Sequence, residues 1–247
     1  MNRAAAILNS DQTISKQVRS RFDSAKKRLL ADEPIQYILG ETVFYNLRIK
    51  VTPDVLIPRP ETEELVHWIV EDIKEGTAQG DRILDLGTGS GCIAISLADA
   101  LKTEVTGLDV SEEALKVAVA NAWENKVSVN WMQLDILSEE RLPGTYTIMV
   151  SNPPYVRFSE RELMKPNVVD HEPHLSLFVE NDDPLLFYKK IAALGQSHLI
   201  PGGLLYFEIN EYLSEELTVL LQEFGYSDIV LRKDLFGKDR MIRCRYA

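Results

Sequence analysis

The hydrophobic positions of this chain change period several times. Residues 14–31, "ISKQVRSRFDSAKKRLLA", place Ile14, Val18, Phe22, Ala25 and Leu29 three or four apart, the spacing of one helical face. Residues 43–61, "VFYNLRIKVTPDVLIPRPE", mix β-branched and aromatic residues with turn formers and predict a hairpin that ends at the Pro58–Pro60 corner. Helical spacing returns over Thr62–Lys74 through Leu65, Trp68, Ile69 and Ile73. From residue 82 onward, apolar runs alternate with helical patterns: "RILDLG", a helix over 91–101, "EVTGLDV", a helix over 111–124, "VNWMQLD" and "YTIMVSNPPY". After a polar loop come a helix over 185–199, "GGLLYFEIN", a helix over 214–224, "DIVLRKDL" and "RMIRCRY".

Alternation of this kind predicts an α/β fold, a seven-stranded and mostly parallel sheet with helices on both faces. Only "FGKD" separates the last two strands, too little for a crossover, so the final strand is expected to run antiparallel. The pattern divides the chain into a helical segment (1–33), a hairpin with its linker (34–61) and a large sheet domain (62–247). No internal repeat or low-complexity stretch is present.

Composition narrows the partners. The 27 Lys and Arg against 38 Asp and Glu leave a formal net charge of −11, a surface that repels a phosphate backbone, so no direct nucleic-acid partner is expected. Residues 1–30 depart from this balance, with Arg3, Lys16, Arg19, Arg21, Lys26, Lys27 and Arg28 against only Asp11 and Asp23. That basic segment reads either as a solvated helix face or as a docking surface for an acidic partner. Cys92 and Cys244 lie far apart without metal-ligand spacing, which fits reduced thiols in a cytoplasmic protein and no metal. The N-terminal "MNRAAAILNSDQ" lacks the apolar core of a signal peptide, and no membrane span is expected.

The candidate chemistry begins at "LDLGTGSGC" (84–92), where the first sheet strand turns into its helix. Gly87, Gly89 and Gly91, with Thr88 and Ser90 between them, let a ligand approach bare backbone. Cys92 stands where a dinucleotide fingerprint has its third glycine, and Asp85 would oppose a pyrophosphate but suit a cationic or amino group. Both features disfavour a dinucleotide-dependent oxidoreductase. Asp109 ends the second sheet strand at the interval where an acid reaches two ribose hydroxyls, and Asp135 at the end of the third can reach an adenine edge. A single such acid would as readily be a helix cap. Three at successive strand ends describe a positively charged nucleoside, and S-adenosylmethionine has that description.

The fourth sheet strand ends in "SNPPY" (151–155), beside the first strand in this topology. Pro153 and Pro154 lack N–H groups and push the residues before them into extended backbone, leaving a stiff array of carbonyl acceptors. The Asn152 side-chain oxygen and the Pro153 carbonyl can each accept one hydrogen of a planar NH2 group, with Tyr155 against its face. Holding both hydrogens fixes the rotation of a nitrogen whose lone pair is otherwise delocalised. The expected reaction is methyl transfer to an amide or exocyclic amine nitrogen, with Asn152, Pro153 and Tyr155 as the residues at the chemistry and Pro154 completing the substrate loop.

"IQYILGETVFYNLRIKVTPDVLIPRPETEELV" (35–66), "ILDLGTGSGCIAISLA" (83–98), "IMVSNPPYV" (148–156) and "DLFGKDRMI" (234–242) together resemble the release factor glutamine methyltransferases. The resemblance implies a Rossmann-like class I methyltransferase fold and transfer of a methyl group from S-adenosylmethionine to the glutamine of the Gly-Gly-Gln motif in peptide chain release factors. It places cofactor contacts on Gly87–Gly91, Asp109, Asp135, Ile136 and Asn152, and substrate contacts on Asn152–Tyr155. Phe44, Arg59, Pro60, Glu61 and Thr62 would line the cofactor pocket from the hairpin side. Ile136 stands where an aromatic often packs on adenine, implying an aliphatic sandwich. The roughly 33 residues before Pro34 are fewer than the family's usual helical N-terminal domain, and Asn46 stands where a small residue is common.

Other readings are weaker. A ribosomal-protein glutamine, or adenine or cytosine in nucleic acid, also presents a conjugated NH2, but no target-recognition domain for a flipped base is evident. A non-catalytic cofactor-binding module conflicts with the intact "NPPY". "HEPH" (171–174) lacks further ligand spacing and is expected to shape the substrate opening. The aromatics of "LLYFEIN" read as core, Arg59 with Glu61 as an exposed ion pair, and Asp239 with Arg240 as a turn ion pair.

Overall fold

A computed structural model describes residues 13–247, so the first part of the basic segment, with Arg3 and Asp11, and the "MNRAAAILNSDQ" stretch lie outside the described residues. The first helix among the described residues, Lys16–Leu29, starts where the Ser15 hydroxyl accepts the Val18 N–H at 3.3 Å and ends on Lys26, Lys27 and Arg28, whose charges suit the negative end of a helix. The periodicity predicts it well, yet no residue of this helix is buried; Val18, Phe22 and Leu29 face solvent. A short helix, Ile35–Leu39, stops at Gly40 in the left-handed region (φ 76°).

The hairpin is tighter than the apolar pattern predicts. Strand β1 (Glu41–Phe44) pairs antiparallel with β2 (Leu47–Lys50) around Tyr45 and Asn46, both at positive φ (47° and 65°), the geometry of a two-residue hairpin turn. That turn tolerates Asn46 without a glycine. Pairing ends at Lys50, and residues 51–59 form a linker with a turn at 53–54, where the Val55 N–H donates to the Thr52 carbonyl at 3.1 Å, and still bury Val51, Val55 and Ile57. The Tyr37 hydroxyl donates to the Val55 carbonyl at 2.7 Å and ties linker to helix.

Strands β3 (Arg82–Leu86), β4 (Glu104–Asp109), β5 (Asn130–Gln133), β6 (Tyr146–Ser151), β9 (Leu199–Glu208), β10 (Ser227–Lys233) and β11 (Asp239–Arg245) form one sheet in the order β10-β11-β9-β6-β3-β4-β5. All neighbours from β9 to β5 are parallel, and β11 is antiparallel to both β9 and β10, as the short connection requires. Two further strands of two residues each, β7 (Val156–Arg157) and β8 (Phe178–Val179), pair outside it and close the loop that follows β6.

Successive strand residues point to opposite faces, which is why these strands read as unbroken apolar runs. Ile83, Ile148, Val150, Leu204, Tyr206 and Met241 join one core with helices Pro60–Lys74 and Cys92–Leu101 and the hairpin. Leu84, Met149, Leu205, Phe207 and Ile242 join the other with helices Leu186–His198 and Ser214–Glu223. One buried polar cluster crosses the first core: Asp72 Oδ2 accepts from the Tyr206 hydroxyl at 2.6 Å and pairs with Arg243 at 2.8 Å, fastening helix Pro60–Lys74 to β9 and β11. Among the described residues no helix is long and apolar enough to cross a membrane.

Candidate active site

The switch from β3 to its helix is built around three glycines in the left-handed region, Gly87 (φ 73°), Gly89 (53°) and Gly91 (80°). The N–H groups of Gly87 and Thr88 donate to the Leu108 carbonyl at 3.0 and 2.9 Å, so the loop is sewn to the end of β4. Asp109 completes the seam, one carboxylate oxygen accepting the Gly89 N–H at 2.8 Å and the other the Ser111 N–H at 2.9 Å. A side chain on Gly91 would stand 2.9 Å from the Trp131 ring, so close packing as well as backbone conformation demands glycine there.

Asp85 lies inside this loop, fully buried. Its Oδ2 accepts from the Thr88 hydroxyl at 2.5 Å and from the Ala94 N–H at 3.2 Å, while its Oδ1 is buried without a partner. Burial pushes the Asp85 carboxyl up to about 7, against the donors that favour its charge. Burial also raises Asp109, opposed by its backbone donors.

A cavity of about 470 Å³ opens at the C-terminal edge of β3, β4 and β6, where open parallel sheets bind ligands. Its charged walls are Asp54, Asp109, Glu113 and Asp135, and among the described residues no Lys or Arg lines it. Its apolar walls include Leu56, Ile136, Leu137 and Phe187. Such a site disfavours phosphate and suits a flat ring with hydroxyl donors and positive charge.

At the end of β6 the Ser151 hydroxyl donates to the Leu86 carbonyl at 2.7 Å, locking this strand end to the glycine loop. A second cavity of about 230 Å³ lies beyond, lined by Arg59, Tyr155, Met164, Val168, Leu177 and Glu208 among others. Leu56, Asn152, Pro153 and Ser176 line both cavities. Asn152 therefore stands on the boundary between an acidic chamber and a smaller, mostly apolar one.

The predicted residues sort into three groups. Gly87, Gly89, Asp109, Asp135, Ile136, Asn152, Pro153 and Pro154 line the larger cavity, and Tyr155 the smaller one. Asp85, Thr88 and Ser90 are buried within the glycine loop and, with Gly91, hold its shape rather than form cavity walls. The hairpin-side residues fall elsewhere. Phe44 belongs to the core, Pro60 starts a helix, Thr62 is buried against Glu208, and Arg59 lines the smaller cavity.

Arg59 is not paired with Glu61; its guanidinium meets buried Glu172 at 2.5 Å, and Glu172 also accepts the Ile57 N–H at 3.2 Å. The "HEPH" loop is thus bound to the linker through its glutamate, while His174 contacts the Val169 carbonyl at 2.8 Å. Asp239 and Arg240 do not pair with each other either: Lys233 meets Asp239 at 2.8 Å and Arg240 meets Asp234 at 3.2 Å.

Pattern reading missed several residues. Leu56 and Phe187 sit in stretches that read as linker and helix core, and nothing local marks them as cavity walls. Glu208 was visible as an acid inside the apolar run "LLYFEIN". Asn121, fully buried in helix Glu112–Asn125, was the stronger missed signal, an amide on the packed face of a helix. It accepts the Lys50 N–H at 2.7 Å and donates to the Lys50 and Ser90 carbonyls at 3.0 and 2.9 Å, joining hairpin to glycine loop.

Comparison with known proteins identifies the family and the fold. A methyltransferase small domain model matches residues 65–170, and a PrmC N-terminal domain model matches residues 1–40. A release factor glutamine methyltransferase of Flavobacterium psychrophilum is 45% identical, covering 100% of this chain and 87% of that protein. One of Bacteroides thetaiotaomicron is 48% identical over 87% of this chain and 77% of its own length. The crystal structure of a methyltransferase from Pyrococcus furiosus shares the fold at TM-score 0.60 and 18% identity, covering 94% of this chain and 98% of the other.

Proposed function

The chain belongs to the release factor glutamine methyltransferases, and on that premise we propose that its two cavities are the donor and acceptor halves of one reaction that meet at Asn152. It is an S-adenosylmethionine-dependent protein glutamine methyltransferase with a class I fold. The reading proposed for its site is that the glutamine of the Gly-Gly-Gln motif of a peptide chain release factor enters the smaller cavity. The observation that carries it is the shared wall formed by Asn152 and Pro153.

The larger cavity fits S-adenosylmethionine on donor chemistry. Asp109 keeps lone pairs beyond its two backbone donors for ribose hydroxyls, and Asp135 and Ile136 flank the space for the base. The unpartnered Asp85 Oδ1 does not line the cavity, but it is a buried acceptor directly before the lining residues Leu86 and Gly87, and an ammonium group that reached it would satisfy it. When bound, the molecule supplies an electrophilic methyl carbon on a sulfonium.

The chain's own residues do the rest. The Asn152 side-chain oxygen and the Pro153 carbonyl accept the two hydrogens of the glutamine NH2, fixing its plane. Neither Pro153 nor Pro154 offers an N–H that would compete for those acceptors. Tyr155, Val168 and Leu177 keep water from the nitrogen, which matters because a partly desolvated amide is held more strongly by its acceptors. The assignment is tested by incubating a purified release factor with the protein and S-adenosylmethionine and locating the added methyl by mass spectrometry.

A further inference from the structure

Glu208 ends β9, is 1% exposed, and has both carboxylate oxygens occupied. Its Oε2 accepts from the Thr62 hydroxyl at 2.6 Å and its Oε1 from the Tyr155 hydroxyl at 2.9 Å. Thr62, itself buried in the first turn of helix Pro60–Lys74, lies 3.3 Å from Asn152 Nδ2. The three side chains come from three segments far apart in sequence and form a continuous chain that ends at the cavity boundary.

The direction of that chain is dictated by proton count. Burial raises the Glu208 carboxyl while the Thr62 and Tyr155 hydroxyls and the Arg240 charge favour its ionised form; as a carboxylate it only accepts, and a hydroxyl has one proton to give. Because the Thr62 proton goes to Glu208, Thr62 can offer Asn152 only a lone pair. Asn152 must then turn its NH2 toward Thr62, which leaves its carbonyl oxygen to face elsewhere. An asparagine side chain has nearly the same shape in both rotations of its amide, so packing alone would not choose between them. The wrong rotation would set an NH2 against the NH2 of the entering amide.

We infer that Glu208 is the positioning residue for methyl transfer, acting through Thr62 to fix the rotation of the Asn152 amide so that its oxygen receives the acceptor nitrogen. The inference rests on the reading of Asn152 as the residue that holds that nitrogen. The same carboxylate fixes the Tyr155 hydroxyl, so both sides of the acceptor loop are set by one group. The Tyr188 hydroxyl donates to the Glu208 backbone carbonyl at 3.1 Å and holds the strand end from which the chain starts.

Glu208→Gln preserves shape but can donate where the carboxylate only accepts, Thr62→Val removes the hydroxyl, and Thr62→Ser retains it. With a purified release factor as substrate, Glu208→Gln and Thr62→Val should each lower kcat on the order of 10²-fold, the scale of a misaligned reacting group. The KM for S-adenosylmethionine should stay near wild type when each variant is assayed below its own melting temperature, which falls because a buried hydrogen-bond partner is lost, and Thr62→Ser should restore most of the turnover. The Glu208→Gln/Thr62→Val double variant should fall no further than either single one, because both break one chain.

Wild-type kcat in Glu208→Gln, or losses that multiply in the double variant, would overturn the inference. If Glu208→Gln does not fold, wild-type kcat in Thr62→Val overturns it alone. Asn152→Ala in the same assay separates the levels. Lost turnover in Asn152→Ala with normal turnover in Glu208→Gln rejects only the positioning chain, whereas normal turnover in Asn152→Ala rejects the reading of the site.

Discussion

Arg59 and Glu172, 113 positions apart, meet at 2.5 Å and join the linker after the hairpin to the loop that walls the smaller cavity. The Glu172 side chain is 1% exposed and that of Arg59 31%. Glu172→Ala would also strand the Ile57 N–H. We expect a stability loss of about 1–3 kcal/mol, below that of a fully buried pair because Arg59 keeps water contact. In kinetics, KM for the release factor should rise while KM for S-adenosylmethionine changes little. Equal changes in both would place Glu172 in the general fold rather than at the acceptor opening.

Asn121 couples the hairpin to the glycine loop through three hydrogen bonds. Asn121→Leu keeps the branched shape but strands the buried Ser90 carbonyl and the partly buried N–H and carbonyl of Lys50, at a cost of about 1–3 kcal/mol. Donor affinity should fall with stability, because the same amide holds the Ser90 carbonyl. Calorimetric binding at a temperature where the variant is folded checks this, and unchanged affinity would separate loop from hairpin.

The Asp85 carboxyl, raised from its ordinary 3.8 to about 7, gives a pH dependence of defined sign. Between those values the folded state holds a proton that the unfolded state has lost, so this group's contribution to stability declines as pH rises from about 4 to about 7. The slope is at most about 1.4 kcal/mol per pH unit. Asp85→Asn should flatten that part of the stability curve. If an ammonium group partners Asp85, binding favours its ionised form, so donor affinity should increase from pH 6 to pH 8 in the wild type and not in Asp85→Asn. An affinity independent of pH in the wild type would remove Asp85 from the binding site.

Asp72 offers a control away from both cavities. Asp72→Ala leaves the Arg243 guanidinium and the Tyr206 hydroxyl buried without their shared acceptor, so stability should drop by about 3–5 kcal/mol. Turnover of the folded fraction should be unchanged. A selective loss of kcat would mean that the orientation of helix Pro60–Lys74 reaches the chemistry.

Much of the fold was legible because its signals are local. Apolar runs separated by helical spacing fix a parallel sheet, and the five residues between the last two strands allow only an antiparallel pair. The glycine loop and "NPPY" were legible for the same reason, since each carries its chemistry in a few consecutive residues. What stayed hidden depends on residues that meet only after folding. Arg59 looked like a neighbour of Glu61 and found Glu172; Thr62 looked like a cofactor contact and found Glu208. The helix Lys16–Leu29 shows the converse limit, because an apolar period establishes a face without saying what covers it.

Methyl transfer to a glutamine held by Asn152 is tested by mass spectrometry of a purified release factor incubated with S-adenosylmethionine and either the wild-type protein or Asn152→Ala. One added methyl group on the glutamine of the Gly-Gly-Gln motif is expected with the wild type, and a rate lowered roughly 10²-fold or more with the variant. An unmodified factor beside a methylated oligonucleotide, or an Asn152→Ala variant as fast as wild type, would contradict it.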